Sequence, residues 1–342
     1  MKLMMTANEV YYRKVTTAIG VAMLTFLILL NSFGLALGLI ESVLIRLPIS
    51  DTEYLVWYQL IYAAGYLFSF MMPVAVLRSR IRKCGYPCHP MKTRIRLTPY
   101  LIPTVLGGIV LIWTQSYINA DLVSVFNYSA FSADVLWGDS ASFTPVEVVL
   151  QFIVIAMVPA FCEEFLFRGA ILTNLLPFGR GTAILISSLL FGIMHQNAEQ
   201  ILYAFGAGIL LGLVYERTGS IWNCTLLHLV NNFISYTMII ASDKLGGFYP
   251  ELMNVALEAA LCMVGFVCLA VLAVVFSEKK QTFADGVFGK RVEASDAYAA
   301  CPVEPKRAFK LFLSFPNVLF FVFSALQILL LIGLAMLYSY AF

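Results

Sequence analysis

The chain alternates long apolar runs with short polar segments. Nine runs, over residues 15–40, 54–77, 99–118, 145–174, 182–197, 200–215, 221–241, 252–276 and 311–340, read as spanning helices. A hydrocarbon core about 30 Å thick needs roughly 20 helical residues to cross it. The fifth and sixth runs are short, and few residues separate them. The first follows a few basic residues, yet it is longer than the roughly 7–15 apolar residues of a secretory signal and no small-x-small cleavage site follows it. It reads as a retained span. Thr144, Pro145 and Glu147 form a helix start, with a capping hydroxyl, proline at the first position and an acid at the third. Ala204, Gly208 and Gly212 follow the small-xxx-small pattern of close helix packing in lipid. No internal repeat, low-complexity tract or soluble domain is visible.

Composition supports lipid as the solvent. Hydrophobic residues make up 61% of the 342 residues and charged ones 12%, against roughly half and a quarter in soluble domains. The few charges are one-sided. With a cytosolic N-terminus, the inside segments carry Lys2, Arg13 and Lys14, the cluster Arg78, Arg80, Arg82, Lys83, Lys92, Arg94 and Arg96, then Arg180 and Arg217. The segment before the last span adds Lys279, Lys280, Lys290, Arg291, Lys306, Arg307 and Lys310, while the outside keeps only Arg46 and Lys244. By the positive-inside rule this predicts nine spans, N-terminus cytosolic and C-terminus external. The external segment 119–144 carries Asp121, Asp134 and Asp139, and the cytosolic segment 277–310 is polar. No basic tract interleaved with aromatics is present, so nucleic acid is not an expected partner. The seven cysteines have no framework spacing and predict no disulfide. Trp57, Trp113, Trp137 and Trp222 suit interfacial positions, as does Glu258 near the outer end of its span.

Ionisable residues inside the spans are few and cluster: Glu163, Glu164 and Arg168 in the fourth, His195 in the fifth, His228 with Asn232 in the seventh. Each charge at the bilayer centre costs roughly 2.5–3.5 kcal/mol on the insertion scale, so such residues need a use. Glu164 and Arg168 lie four apart in the favourable order for an ion pair, and Glu163, rotated by about 100°, is left for another task. At ~1.5 Å per residue, Glu163, His195 and His228 lie roughly 16, 20 and 12 Å from the cytosolic ends of their spans, the similar depth a common site requires. The plainer readings are a structural ion-pair network for the acids and interhelical hydrogen bonds for the histidines. Asn231 reads as a packing group and Phe191 as a packing residue. Cys84, Cys88 and His89 are too few for a metal site, and the basic cluster 78–96 reads as an anchor on anionic lipid.

These residues carry a family resemblance. Glu163-Glu164-Phe165-Leu166-Phe167-Arg168 fits the E-E-x-x-x-R motif of the CPBP (ABI) family of intramembrane proteases, which includes the type II CAAX prenyl endopeptidases and bacterial proteins linked with bacteriocin self-immunity. Phe191 to His195 fits its F-x-x-x-H motif and His228 to Asn232 its H-x-x-x-N motif, all in the family's order. The resemblance implies an all-α polytopic fold around a membrane-embedded catalytic cavity, with a CPBP-like core over 145–241. Residues 1–144 then hold the first three spans and 242–342 the last two. It implies peptide-bond hydrolysis, with Glu163 as general base, His195 orienting the water, His228 and Asn232 stabilising the oxyanion, and Glu164 and Arg168 holding the site. The expected partners are membrane lipid and a peptide or small-protein substrate, lipidated or not. The expected location is a bacterial plasma membrane, where a peptide precursor, small membrane protein or signal remnant is the natural substrate.

Cofactor use is a fork. Glu163, His195 and His228 would make three ligands with an open fourth position, the pattern of a catalytic zinc. The chain lacks the closely spaced histidines of H-E-x-x-H, and the same residues also serve a metal-free glutamate scheme, the reading adopted. Two rivals stand beside the peptidase. One is a transporter with a buried proton relay, against which the absence of repeated halves with broken helices counts. The other is a non-catalytic immunity or scaffold protein of the same fold.

Overall fold

Side-chain caps set the starts of three long helices. Thr6, Ser50 and Thr144 each accept from the backbone N–H three residues on, and Glu9, Glu53 and Glu147 reach back to the cap. First-turn donors that lipid cannot satisfy are thereby taken up. The computed structural model describes residues 5–85, 88–93, 106–110, 144–245, 256, 259–260, 262–271, 274 and 301–341. Its helices are α1 (Ala7–Leu44), α2 (Asp51–Lys83), α3 (Pro145–Phe178), α4 (Arg180–Met194), α5 (Ala198–Thr218), α6 (Ile221–Leu245), α7 (Cys262–Val271), α8 (Pro305–Phe312) and α9 (Phe315–Ala341). No strand occurs among the described residues.

The protein is an all-α integral membrane protein. Five of the described helices, α1, α2, α3, α5 and most of α9, are long and apolar enough to cross a bilayer. At 15 residues α4 falls short, since ~1.5 Å per residue gives about 22 Å. The expected seventh span is a helix of 25 residues, but polar side chains such as Asn223, Asn231 and Ser235 interrupt its apolar run. The ninth begins at Phe315, because Leu313 leaves helical geometry (ψ 51°) and Leu311 and Phe312 close the short α8 instead. The expected third span apart from 106–110, the segment 119–143, much of the eighth span, residues 277–300, Trp113, Trp137 and Glu258 lie outside the described residues.

Packing places α3 at the centre, against α2, α4 and α6. Its residues Leu166, Phe167, Arg168, Ala170 and Ile171 are fully buried. α1 and α2 form an antiparallel hairpin with α9 against α1, and α4 and α5 form a second. Gly208 makes that second hairpin close, because a Cβ there would sit 2.9 Å from Ser188 Cα, and Gly212 faces Ile184. The small residues of α5 therefore bring two backbones together, as small-xxx-small interfaces do in lipid.

One end of the bundle gathers the basic segments. There Arg307 pairs with Glu9, Tyr12 meets Phe178 edge-on, and Asn317 Nδ2 donates to Thr16 O at 2.9 Å. Val303 N–H donates to Phe178 O at 2.9 Å, Ile221 N–H to Lys92 O at 3.0 Å, and Arg180 pairs with Glu216 at 3.3 Å.

Candidate active site

Two widened turns in α3 set the direction of the acid pair. Pro159 has no N–H, so the carbonyl of Ile155 cannot receive its usual helical donor. Just before it the helix opens into a π turn over Ile153–Met157, with Val158 N–H bonding back to Ile153 O. After the acids a second π segment runs over Phe165–Leu172. Side chains take up its displaced carbonyls: Thr173 Oγ1 donates to Arg168 O at 2.8 Å, Asn174 Nδ2 to Ala170 O at 2.8 Å and Ser187 Oγ to Phe167 O at 3.2 Å. Such wide turns recur at functional sites.

Between these turns the two acids part company. Glu164, wholly buried, accepts from Arg168 Nη1 at 2.8 Å and from His228 Nδ1 at 2.9 Å, both on Oε1. Arg168 donates its other terminal nitrogen to Gly208 O at 3.2 Å and lies over the Phe191 ring, 4.4 Å from its centroid. Glu163 instead faces a cavity. Its Oε1 accepts from the Tyr66 hydroxyl at 2.6 Å, while its buried Oε2 has no hydrogen-bond partner and lies 3.9 Å from His228 Nε2.

His195 stands at the C-cap of α4 rather than inside the helix expected over 182–197. The last turn tightens, so His195 N–H bonds to Gly192 O at 3.3 Å, and the ring Nδ1 meets the carbonyl of Phe191 at 2.8 Å. A carbonyl accepts, so Nδ1 carries a proton, and in the neutral ring Nε2 keeps its lone pair. Gln196, at φ 53°, then turns the chain in the left-handed region and ends the helix. The four-residue spacing of this motif is thus a side chain capping its own helix. The Phe191 ring meets His195 edge-on at 5.2 Å and His228 at 5.9 Å, which fixes both imidazoles.

Glu163, His195, His228 and Asn232 line one cavity of about 370 Å³, closed by Tyr62, Tyr66, Tyr203 and Tyr236 among others. Glu164 and Arg168 stand behind its wall. Asn231 also lines it: its Nδ2 donates to Tyr203 Oη at 2.7 Å and to Asn232 Oδ1 at 3.3 Å. That second bond occupies the acceptor end of Asn232. Among the described residues, no three His, Cys, Asp or Glu side chains are gathered so as to hold a metal ion.

Sequence reasoning missed Tyr66, Tyr62, Tyr203 and the lining role of Asn231. Asn231 adjoins a motif residue, and Tyr203 sits one residue before Ala204 of the packing stripe. Tyr66 carries no sequence signal, since it comes from α2, 97 positions away from its partner.

Residues 145–234 match a family model described as type II CAAX prenyl endopeptidase Rce1-like. The match encloses all three motifs and bears out the family resemblance they carry. Tyr62 and Tyr66 lie outside it. No curated protein and no solved structure matches the chain.

Proposed function

We propose, on the premise that the 145–234 segment belongs to the Rce1-like protease family, that the protein is an intramembrane endopeptidase that hydrolyses a peptide bond with a glutamate-activated water. The observation that carries this reading is Glu163, whose Oε2 has no hydrogen-bond partner and which lines one cavity with His195, His228 and Asn232. A water in that cavity donates one hydrogen bond to Glu163 and one to His195 Nε2. Glu163 takes the proton as the oxygen attacks the scissile carbonyl. The oxyanion is stabilised by Asn232 Nδ2 and by the His228 ring, which Glu164 orients through Nδ1. Glu163 returns the proton to the leaving amine. No step needs a metal, and zinc bound by Glu163, His195 and His228 is the alternative. The substrate is a membrane-associated or lipidated peptide, reached through the apolar and tyrosine-rich wall of the cavity.

The test uses full-length protein in detergent with peptides ending in a CAAX sequence, prenylated and unlipidated. Cleavage undiminished by chelator supports the scheme. Chelator inhibition reversed by added zinc rejects the metal-free form. Proton-coupled uptake in proteoliposomes with no cleavage of any peptide would favour a transporter.

Tyr66→Phe is expected to lower kcat roughly tenfold or more with KM little changed, since a hydrogen bond to a charged group is worth about 1.5–3 kcal/mol. The tyrosine acts by holding Glu163, so equal kcat in wild type and variant would remove it from the site.

The gathering of described basic residues at one end supports a cytosolic N-terminus and an external C-terminus; a bacterial plasma membrane is the proposed location. An alkaline phosphatase fused after Phe342 should be active outside the cell; an inactive fusion at normal expression reverses the orientation.

A further inference from the structure

We infer that the groove between the basic ends of α1 and α2 seats one anionic phospholipid, its phosphate held by Arg13, Lys14, Arg80 and Lys83. The groove is open, has a volume of about 980 Å³ and shares no lining residue with the Glu163 cavity. All four cations are exposed. Among the described residues none is ion-paired with a carboxylate, and the one acid on that stretch of α1, Glu9, is engaged by Arg307. Lys14 touches only the edge of the charge problem, lying 5.8 Å from the Tyr11 ring centroid.

The order of groups along the groove matches the order of parts in a phospholipid. Antiparallel pairing of α1 and α2, fixed by the Phe26–Phe70 and Phe33–Tyr62 ring contacts, brings Arg13 and Lys14 level with the turn from Arg80 to Lys83. About one turn deeper lie Thr17, whose hydroxyl donates to Arg13 O at 2.7 Å, and the Ser79 hydroxyl, at the depth of the ester oxygens. Deeper still, Ala18, Ala75 and Val76 leave an apolar channel for acyl chains. From Lys83 to Ala75 the descent is eight residues, or ~12 Å at ~1.5 Å per residue. That is the scale on which a headgroup gives way to hydrocarbon. A soluble anion would use the cations but not the channel below them. Four uncompensated charges above an apolar slot fit a lipid of negative headgroup, and juxtamembrane cations attract such lipids individually.

Delipidated full-length protein in detergent is titrated with phosphatidylglycerol or phosphatidylcholine of identical chains, and retained lipid is read by native mass spectrometry. Phosphatidylglycerol should be retained at least tenfold over phosphatidylcholine. The variant Arg13→Gln/Lys14→Gln/Arg80→Gln/Lys83→Gln should abolish that preference, since each cation lost weakens binding about fivefold. Arg78→Gln/Arg82→Gln/Lys306→Gln/Lys310→Gln, with the same charge removed at the same end, should keep it. Ala75→Trp, which fills the channel and leaves every charge, should lose retention with an unchanged melting temperature. Equal retention of the two lipids, equal loss in both charge variants, or complete displacement by excess inorganic phosphate would each overturn the assignment.

Discussion

Replacing Glu163 by glutamine is expected to cut kcat by roughly 10²–10⁴, the share that a positioned general base supplies, while KM and folding stay near wild type. Glutamine keeps the volume of the side chain and an oxygen that can still accept from the Tyr66 hydroxyl, now 2.6 Å from Oε1. It loses only the proton acceptor that faces the cavity. The measurement is initial-rate cleavage of the CAAX-type peptide, with melting temperature recorded on the same preparation. A variant that cleaves at the wild-type rate would remove Glu163 from the mechanism. In cells the same substitution separates catalysis from binding: a phenotype lost at normal protein level requires the chemistry, and a phenotype retained in full points to a non-catalytic protein of the same fold.

Glu164→Ala should act on stability first. The substitution leaves Arg168, 1% exposed, with contacts to the Gly208 carbonyl and the Phe191 ring but without its carboxylate. Removing one partner of a buried pair costs about 3–5 kcal/mol, because the surviving charge has neither water nor counter-ion. His228 Nδ1 loses its acceptor at the same time. Unfolding of the purified protein in mixed detergents, compared with Glu163→Gln, reads the difference. The double variant Glu164→Leu/Arg168→Met should recover most of the stability, since apolar replacement of a whole buried pair is often neutral. It should not recover cleavage, because His228 Nδ1 then has lost its carboxylate acceptor. Glu164→Ala as stable as wild type would show that Arg168 finds compensation elsewhere.

Glu163 and Glu164 are chemically identical neighbours, and the four-residue spacing to Arg168 was enough to tell them apart. The pair at 2.8 Å is the one that spacing predicts, because partners one helical turn apart are neighbours whatever the rest of the chain does. The C-terminal end of α4 was harder. The expected span runs on to Asn197, past the last apolar residue Met194, whereas the backbone tightens and turns left-handed at Gln196. Propensity does not announce a glutamine at positive φ. Nor did the apolar count foresee that α4 is too short to cross alone, since hydropathy measures what a segment would tolerate and not where its neighbours make it stop.

By itself the sequence determined that lipid surrounds a helical chain, where most of its helices run, and which few polar residues are too costly to be idle. Run length, capping boxes and residue spacing are local quantities, and local physics decides them. Only the tertiary structure decided that Tyr66 holds Glu163, that one imidazole stands between both carboxylates, and that Asn231 donates to the Tyr203 hydroxyl. Those contacts depend on two widened turns in α3 and on helices far apart in the chain coming within hydrogen-bond reach. No spacing rule along one strand of sequence contains that information.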